Sequence, residues 1–203
     1  MSKLYLMRHG QTEYNMQLRV QGQCDSPLTE LGVKQAHAAA AWFTAHDVHF
    51  DRMCASPLGR TRATLDTIRA DLTAAGDTAL PPIEFIPGLI ERSYGVFESG
   101  PREDVPADLW DPGDALVPYG GEGNASVRSR MVDTLTRIML APHADSVLAV
   151  SHGSATYQFK QAWEHLATCP QDVHLGNCCI LVYEFDPATQ SFMCEQIVNH
   201  SVE

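Results

Sequence analysis

Apolar residues gather along this chain in two alternating patterns. Short continuous runs, Leu4-Tyr5-Leu6-Met7 and Val147-Leu148-Ala149-Val150 foremost, have the length of strands covered on both faces. Longer stretches place their apolar residues at helical spacing. Thr29 can cap a helix reaching about position 46, rich in alanine, with Leu31, Trp42 and Phe43 as bulky apolar positions. Ser56-Pro57 reads as an N-cap followed by proline at the first helical position, opening a helix to about 75 through Leu58, Leu65, Ile68 and Leu72. Further helices are predicted over about 124–140 and from the second Gly-containing turn to about 167. The predicted strands are 3–8, 50–55, 83–86, 146–151, 178–185 and 192–198, the last two joined as a hairpin around Asp186-Pro187. This alternation predicts an α/β fold, a three-layer α/β/α arrangement with a mainly parallel central sheet.

One stretch breaks the pattern. Residues 92–121 show no clear period and hold Pro101, Pro106, Pro112 and Pro118. The stretch is too long for an ordinary connection, which predicts a small lid insertion on a single domain spanning 1–203. Its acids are Glu98, Glu103, Asp104, Asp108, Asp111 and Asp114, against Arg92 and Arg102 as bases. Such a lid is expected to lack the charges that grip a second phosphate or a carboxylate, or simply to be a solvated acidic loop.

Composition narrows the partners. With 203 residues, 44% apolar and 19% charged, the chain has the make-up of an ordinary globular protein. Its 14 basic and 25 acidic residues leave a net charge of −11, which disfavours nucleic acid and anionic membrane surfaces. Arginines clustered in so acidic a chain need a reason. The six cysteines show no C-x-x-C and no zinc spacing, so buried reduced thiols are expected. The first strand begins at once and no apolar run reaches membrane-spanning length, so a cytoplasmic protein is expected. The sequence is silent on oligomeric state.

The candidate chemistry sits at strand ends. Arg8-His9-Gly10 follows the first apolar run, and Ser151-His152-Gly153 follows the fourth. In an open α/β sheet, ligands bind outside the carboxyl ends of strands. If these strands are neighbours, Arg8 and both imidazoles face one crevice, and that crevice suits an oxyanion such as phosphate. His9 could be a nucleophile, a general base or a packed histidine. Arg60 falls in the first turn of its helix, where it can reach the same rim. Arg62, two residues on, faces about 200° away and reads as structural or solvated. Glu91 opens the 92–121 stretch and could protonate a leaving group, or only pair with Arg92.

Five separated blocks, taken together and in order, resemble the histidine phosphatase superfamily in its phosphoglycerate-mutase-like branch. They are the ten residues Leu6 to Asn15, the block Asp25-Ser26-Pro27-Leu28-Thr29-Glu30-Leu31-Gly32, Ser56-Pro57-Leu58-Gly59-Arg60-Thr61-Arg62, Leu89-Ile90-Glu91-Arg92-Ser93-Tyr94-Gly95, and Ser151-His152-Gly153. The acid-phosphatase-like branch is disfavoured, because Gln11-Thr12-Glu13-Tyr14 replaces its extended motif and Gly153 stands where it has Asp. The resemblance implies His9 as the residue that becomes phosphohistidine. It implies Arg8, Arg60 and His152 as the phosphoryl clamp, with Asn15 and backbone near Gly153 adding donors. Glu91 is implied as general acid and then base, and Gln21-Gly22 as the substrate mouth. No metal and no cofactor is implied, since two guanidiniums and an imidazolium supply the charge. The expected activity is a phosphomonoester hydrolase acting on a small phosphorylated metabolite. The alternatives are a phosphoglycerate mutase and, further off, an inactive relative that binds a phosphorylated ligand.

Overall fold

The runs read as strands lie side by side in one six-stranded sheet of the computed structural model, which describes residues 2–200 and 202. The predicted span 1–203 includes Met1, Ser201 and Glu203, which lie outside the described residues. The strands are β1 (Ser2–Arg8), β2 (Arg52–Ala55), β3 (Ile83–Phe85), β4 (Ser146–Ser151), β5 (Ile180–Asp186) and β6 (Ser191–Val198). Their order is β3-β2-β4-β1-β5-β6. The first four strands run parallel, β5 is antiparallel to β1, and β6 closes a hairpin on β5.

Helices cover both faces, which explains the unbroken apolar runs. Leu4, Leu6, Val147 and Ala149 point to one side, toward α4 (Asn124–Met139) and α5 (Gly153–Trp163). Met7, Leu148 and Val150 point to the other, toward α2 (Glu30–Ala45) and α3 (Gly59–Ala74). The neighbours Cys178 and Cys179 divide the same way, one to each face. Their burial pushes both thiols up, Cys179 to about 11. The predicted α/β/α layering is therefore the observed one.

Several local starts differ from the predicted ones, two of them for an evident physical reason. Thr29 caps α2 as predicted, accepting from the Gly32 N–H at 3.0 Å. Ser56 does not cap α3, which begins at Gly59 behind Leu58. Asp25, from the loop after a short helix α1 (Glu13–Met16), takes that role by accepting from the Gly59 and Arg60 N–H groups. A carboxylate at a helix N-terminus satisfies orphan donors and favours the macrodipole, so a distant acid outcompetes a nearby hydroxyl. The hairpin strand also begins two residues later than expected, because Cys178 has φ +57° and is out of the ladder.

Residues 92–121 form three single 3₁₀ turns, Gly95–Phe97, Arg102–Asp104 and Val117–Tyr119. They gather around a third apolar cluster of Val20, Tyr94, Val105 and Leu116.

Candidate active site

Arg8 ends β1 and Ser151 ends β4, and the two are paired in register. Parallel neighbours therefore deliver His9 and His152 to the same end of the sheet, with ring centroids 5.3 Å apart. The turn after β1 is tight. A Cβ on Gly10 would lie 2.5 Å from the Gly32 carbonyl oxygen, so only glycine lets the strand end meet α2 this closely.

His9 lies 3% exposed, with Nδ1 2.7 Å from the Gly10 carbonyl oxygen. A carbonyl only accepts, so Nδ1 carries the proton and Nε2 carries the lone pair. Arg60 Nε donates to that Nε2 at 3.2 Å. Burial pushes the His9 pKa well below its ordinary value, and the Arg60 and Arg8 guanidiniums push further, against the Gly10 bond. The result is a neutral imidazole of fixed tautomer.

His152 is fully buried at the N-cap of α5. Its Nε2 sits 2.7 Å from Ser56 Oγ, while Nδ1 has no partner. Burial, then Arg60, His9, Arg130 and Arg8, lower its pKa well below the ordinary range. Desolvation among cations thus favours the neutral ring over the imidazolium.

The two arginines are held differently. Arg8 donates from Nη1 to the Leu175 carbonyl at 2.9 Å and lies 5.0 Å from the Trp110 ring centroid, with Nε buried and unpartnered. Arg60, 1% exposed, donates to the carbonyls of Cys24 and Gly22 at 2.7 Å each and to Asp25 at 3.1 Å. Burial lowers the pKa of both guanidiniums, with Glu91 opposing. Arg62 faces away and stacks 4.1 Å over Phe85, as its helical phase predicts.

Glu91 is tied to the start of α5. Its Oε1 accepts from the N–H groups of Arg92 and Ala155, and Oε2 from Ser154 alone at 3.1 Å. Asn15 Oδ1 accepts from the Thr12 N–H at 3.2 Å and from Asn177 Nδ2 at 3.3 Å, leaving its amide nitrogen as the group still able to donate to a ligand. Gln21 Oε1 accepts from Ser26 Oγ at 3.1 Å.

Arg8, His9, Asn15, Gln21, Gly22, Arg60, Glu91 and Gly153 line one cleft. Of the predicted residues His152 alone stays beneath its wall. Arg19, Val20, Tyr94, Arg102, Leu109 and Trp110 complete the lining. The sequence reading did not single out Ser56 as a partner of His152, Asp25 as the anchor of Arg60, or Asn177, whose Nδ2 donates to the His9 carbonyl at 3.0 Å. It also expected the 92–121 stretch to lack useful cations, yet Arg102 reaches the cleft and is joined there by Arg19. Among the described residues, no group of three or more His, Cys, Asp or Glu is placed to hold a metal ion. No helix among them is long and apolar enough to cross a membrane.

Comparison with known proteins follows the same geometry. Residues 4–196 match the histidine phosphatase superfamily (branch 1). A protein named Probable phosphoglycerate mutase GpmB from Yersinia pestis (strain Pestoides F) is 35% identical over 163 residues, covering 76% of this chain and 71% of that protein. Among solved structures, Bacillus stearothermophilus YhfR superposes with a TM-score of 0.79 at 24% identity, covering 95% of this chain and 94% of that one. The phosphoserine phosphatase of Entamoeba histolytica, in complex with 3-phosphoglyceric acid, gives 0.75 at 25% identity, covering 98% of each chain.

Proposed function

The chain belongs to the histidine phosphatase superfamily, and on that premise we propose that it hydrolyses a small phosphomonoester through a phosphohistidine at His9. One observation carries this reading. The neutral His9 presents a lone pair on Nε2 in the cleft, and beside it the Arg8 Nε is a buried donor without a protein partner. Leaving that donor buried and unpaired costs about 1–3 kcal/mol, which a bound oxyanion offsets.

Binding and chemistry are then linked. An incoming phosphoryl oxygen takes over the Arg60 Nε–H that otherwise covers His9 Nε2, so substrate entry unmasks the nucleophile. Arg8, Arg60 and the Asn15 amide steady the equatorial oxygens, and the dianion's charge favours a proton on His152. His9 Nε2 attacks phosphorus as the ester P–O bond breaks. The leaving oxygen takes its proton from Glu91 acting as the general acid at Oε2, the oxygen with a single backbone donor. Water, deprotonated by Glu91, then attacks the phosphohistidine, releasing phosphate and restoring His9. No metal or cofactor enters this scheme.

A mutase reading is favoured by the relative named phosphoglycerate mutase and by the extra arginines at the cleft. A mutase returns the phosphoryl group to an organic hydroxyl instead of water. Rapid-quench labelling in excess EDTA should trap an acid-labile, base-stable phospho-adduct. On 3-phosphoglycerate primed with the bisphosphate, phosphate release should exceed isomer formation. Dominant isomerisation would replace the hydrolase with the mutase, and absence of any adduct would remove both.

A further inference from the structure

Two of the six cysteines have their sulfurs in contact. Cys169 Sγ lies 3.7 Å from Cys194 Sγ, and both are free thiols. We propose that Cys169 and Cys194 are a site of reversible oxidation, closing to a disulfide by exchange with a small-molecule disulfide and so fastening to β6 the segment that supports Arg8 and His9. Neither cysteine lines the cleft, so the site stands apart from the phosphotransfer chemistry.

Backbone contacts bring the two together. After α5 a 3₁₀ turn covers Glu164–Leu166, and the chain then meets β6. The Thr168 N–H donates to the Cys194 carbonyl at 2.9 Å, one residue before Cys169. Gln171 Nε2 donates to Cys169 Sγ at 3.2 Å and to the Cys169 carbonyl at 3.1 Å, which holds the thiol toward its neighbour. A disulfide needs a sulfur separation of about 2.0 Å, which side-chain rotation supplies once the backbones are this close. The adjacent Cys178 and Cys179 face opposite sides of the sheet, and Cys24 Sγ is turned to Glu98 Oε2 at 3.4 Å.

The two thiols are unequal, and that orders the steps. Cys169 is half-buried and Cys194 only 1% exposed, so a reagent meets Cys169 first. The Cys169 thiolate attacks one sulfur of the reagent, breaking its S–S bond and releasing one thiolate. Cys194 then gives up its proton and attacks Cys169 Sγ, forming the internal bond and expelling the second thiolate. Two protein thiols are oxidised, the reagent is reduced to two thiols, and the two protein protons go to them. Burial, then the charge and hydrogen bond of Cys169, push the Cys194 thiol up to about 12. Capping Cys169 removes its charge, so the first step eases the second.

The bond closes a ring over residues 169–194, and that ring contains an irregular support of the active site. Between Leu166 and Ile180 the chain forms no helix or strand. Yet the Leu175 carbonyl accepts from Arg8 Nη1 at 2.9 Å, Asn177 Nδ2 donates to the His9 carbonyl at 3.0 Å, and His174 stacks on Trp110. A segment without ladder or helix bonds opens more readily than the sheet it lies against. Tying its start to β6 restricts the unfolded chain and holds these contacts in place.

The test uses the whole chain and oxidised glutathione. After exposure, free thiols are blocked with N-ethylmaleimide under denaturing conditions. Intact mass should show two fewer alkylated positions, and peptide mapping should show a Cys169–Cys194 cross-link that dithiothreitol reverses. Cys169→Ser should remove the cross-link, and Cys194→Ala should stop at a glutathione adduct on Cys169. Wild-type mapping decides the question even where a variant does not fold. The oxidised protein should unfold about 5 °C or more above the reduced one, a difference that Cys169→Ser should lose. Cross-links between other cysteines, glutathione adducts alone in the wild type, or no oxidation of the folded chain overturns the site. A Cys169–Cys194 cross-link that leaves the melting temperature unchanged overturns the fastening of the segment.

Discussion

At the deep end of the cleft, Arg8, His9 and His152 stand on the tips of β1 and β4, whereas at its mouth Arg19 and Arg102 stand on two loops laced to each other. The deep groups are at most 8% exposed, and backbone or buried side chains fix each of them. The mouth is built from turns around a small apolar cluster. The contrast teaches a division of labour. A sheet rim places reactive nitrogens reproducibly, so it suits the step shared by a superfamily. Loops can change residue by residue without disturbing the sheet, so they suit the choice of substrate.

The division predicts unequal losses. His9→Ala should lower turnover of every ester alike, by roughly four orders of magnitude or more, and abolish the quenched phospho-adduct. Near wild-type turnover in that variant would place the nucleophile elsewhere. Arg60→Ala comes next. Removing a buried clamp should cost about two to three orders of magnitude in kcat. Arg62→Ala, which loses only an exposed cation–π contact, should cost less than about 1 kcal/mol of stability and little kcat. Equal kcat losses for the two arginines would break the distinction between deep and peripheral cations.

The same contrast explains what could be read from the residues alone. The deep site was legible because its parts are short and local. An apolar run followed by Arg8-His9-Gly10 already states strand, rim and chemistry, and helical phase separates Arg60 from Arg62. The fold followed for a similar reason, since runs covered on both faces differ visibly from helical spacing. What escaped depends on long-range contact. Asp25 reaches α3 across 35 positions to displace Ser56 as its cap, and that frees Ser56 Oγ for His152, 96 positions away. Asn177 sits 168 positions from the carbonyl it holds. Arg102 looked like one base among acids, because its pairing with the 18–20 loop follows no period. The burial of His152 beside Arg60, His9, Arg130 and Arg8, which lowers its pKa, is likewise a long-range property that no local motif states.

The smallest predicted effect concerns that burial. His9 and His152 both have folded pKa values pushed well below the ordinary 6.5, first by desolvation and then by neighbouring arginines. In the unfolded chain they protonate near that ordinary value. As pH falls below it, the unfolded state binds protons that the folded state refuses, so stability declines toward the folded pKa values. It is fully present above about pH 6.5. Each imidazole can contribute at most about 1.4 kcal/mol per pH unit to this slope. The exposed His49, whose pKa Asp77 and Asp47 raise, acts in the opposite direction. Urea denaturation of wild type between about pH 7 and 5 should therefore show stability falling with acid. His152→Gln should flatten that fall by up to one imidazole's share, while Arg102→Gln at the mouth should leave it unchanged. An unaltered slope in His152→Gln would mean that His152 is charged or hydrated in the folded protein. The deep end would then lack the dry, neutral pair of rings that sets it apart from the mouth.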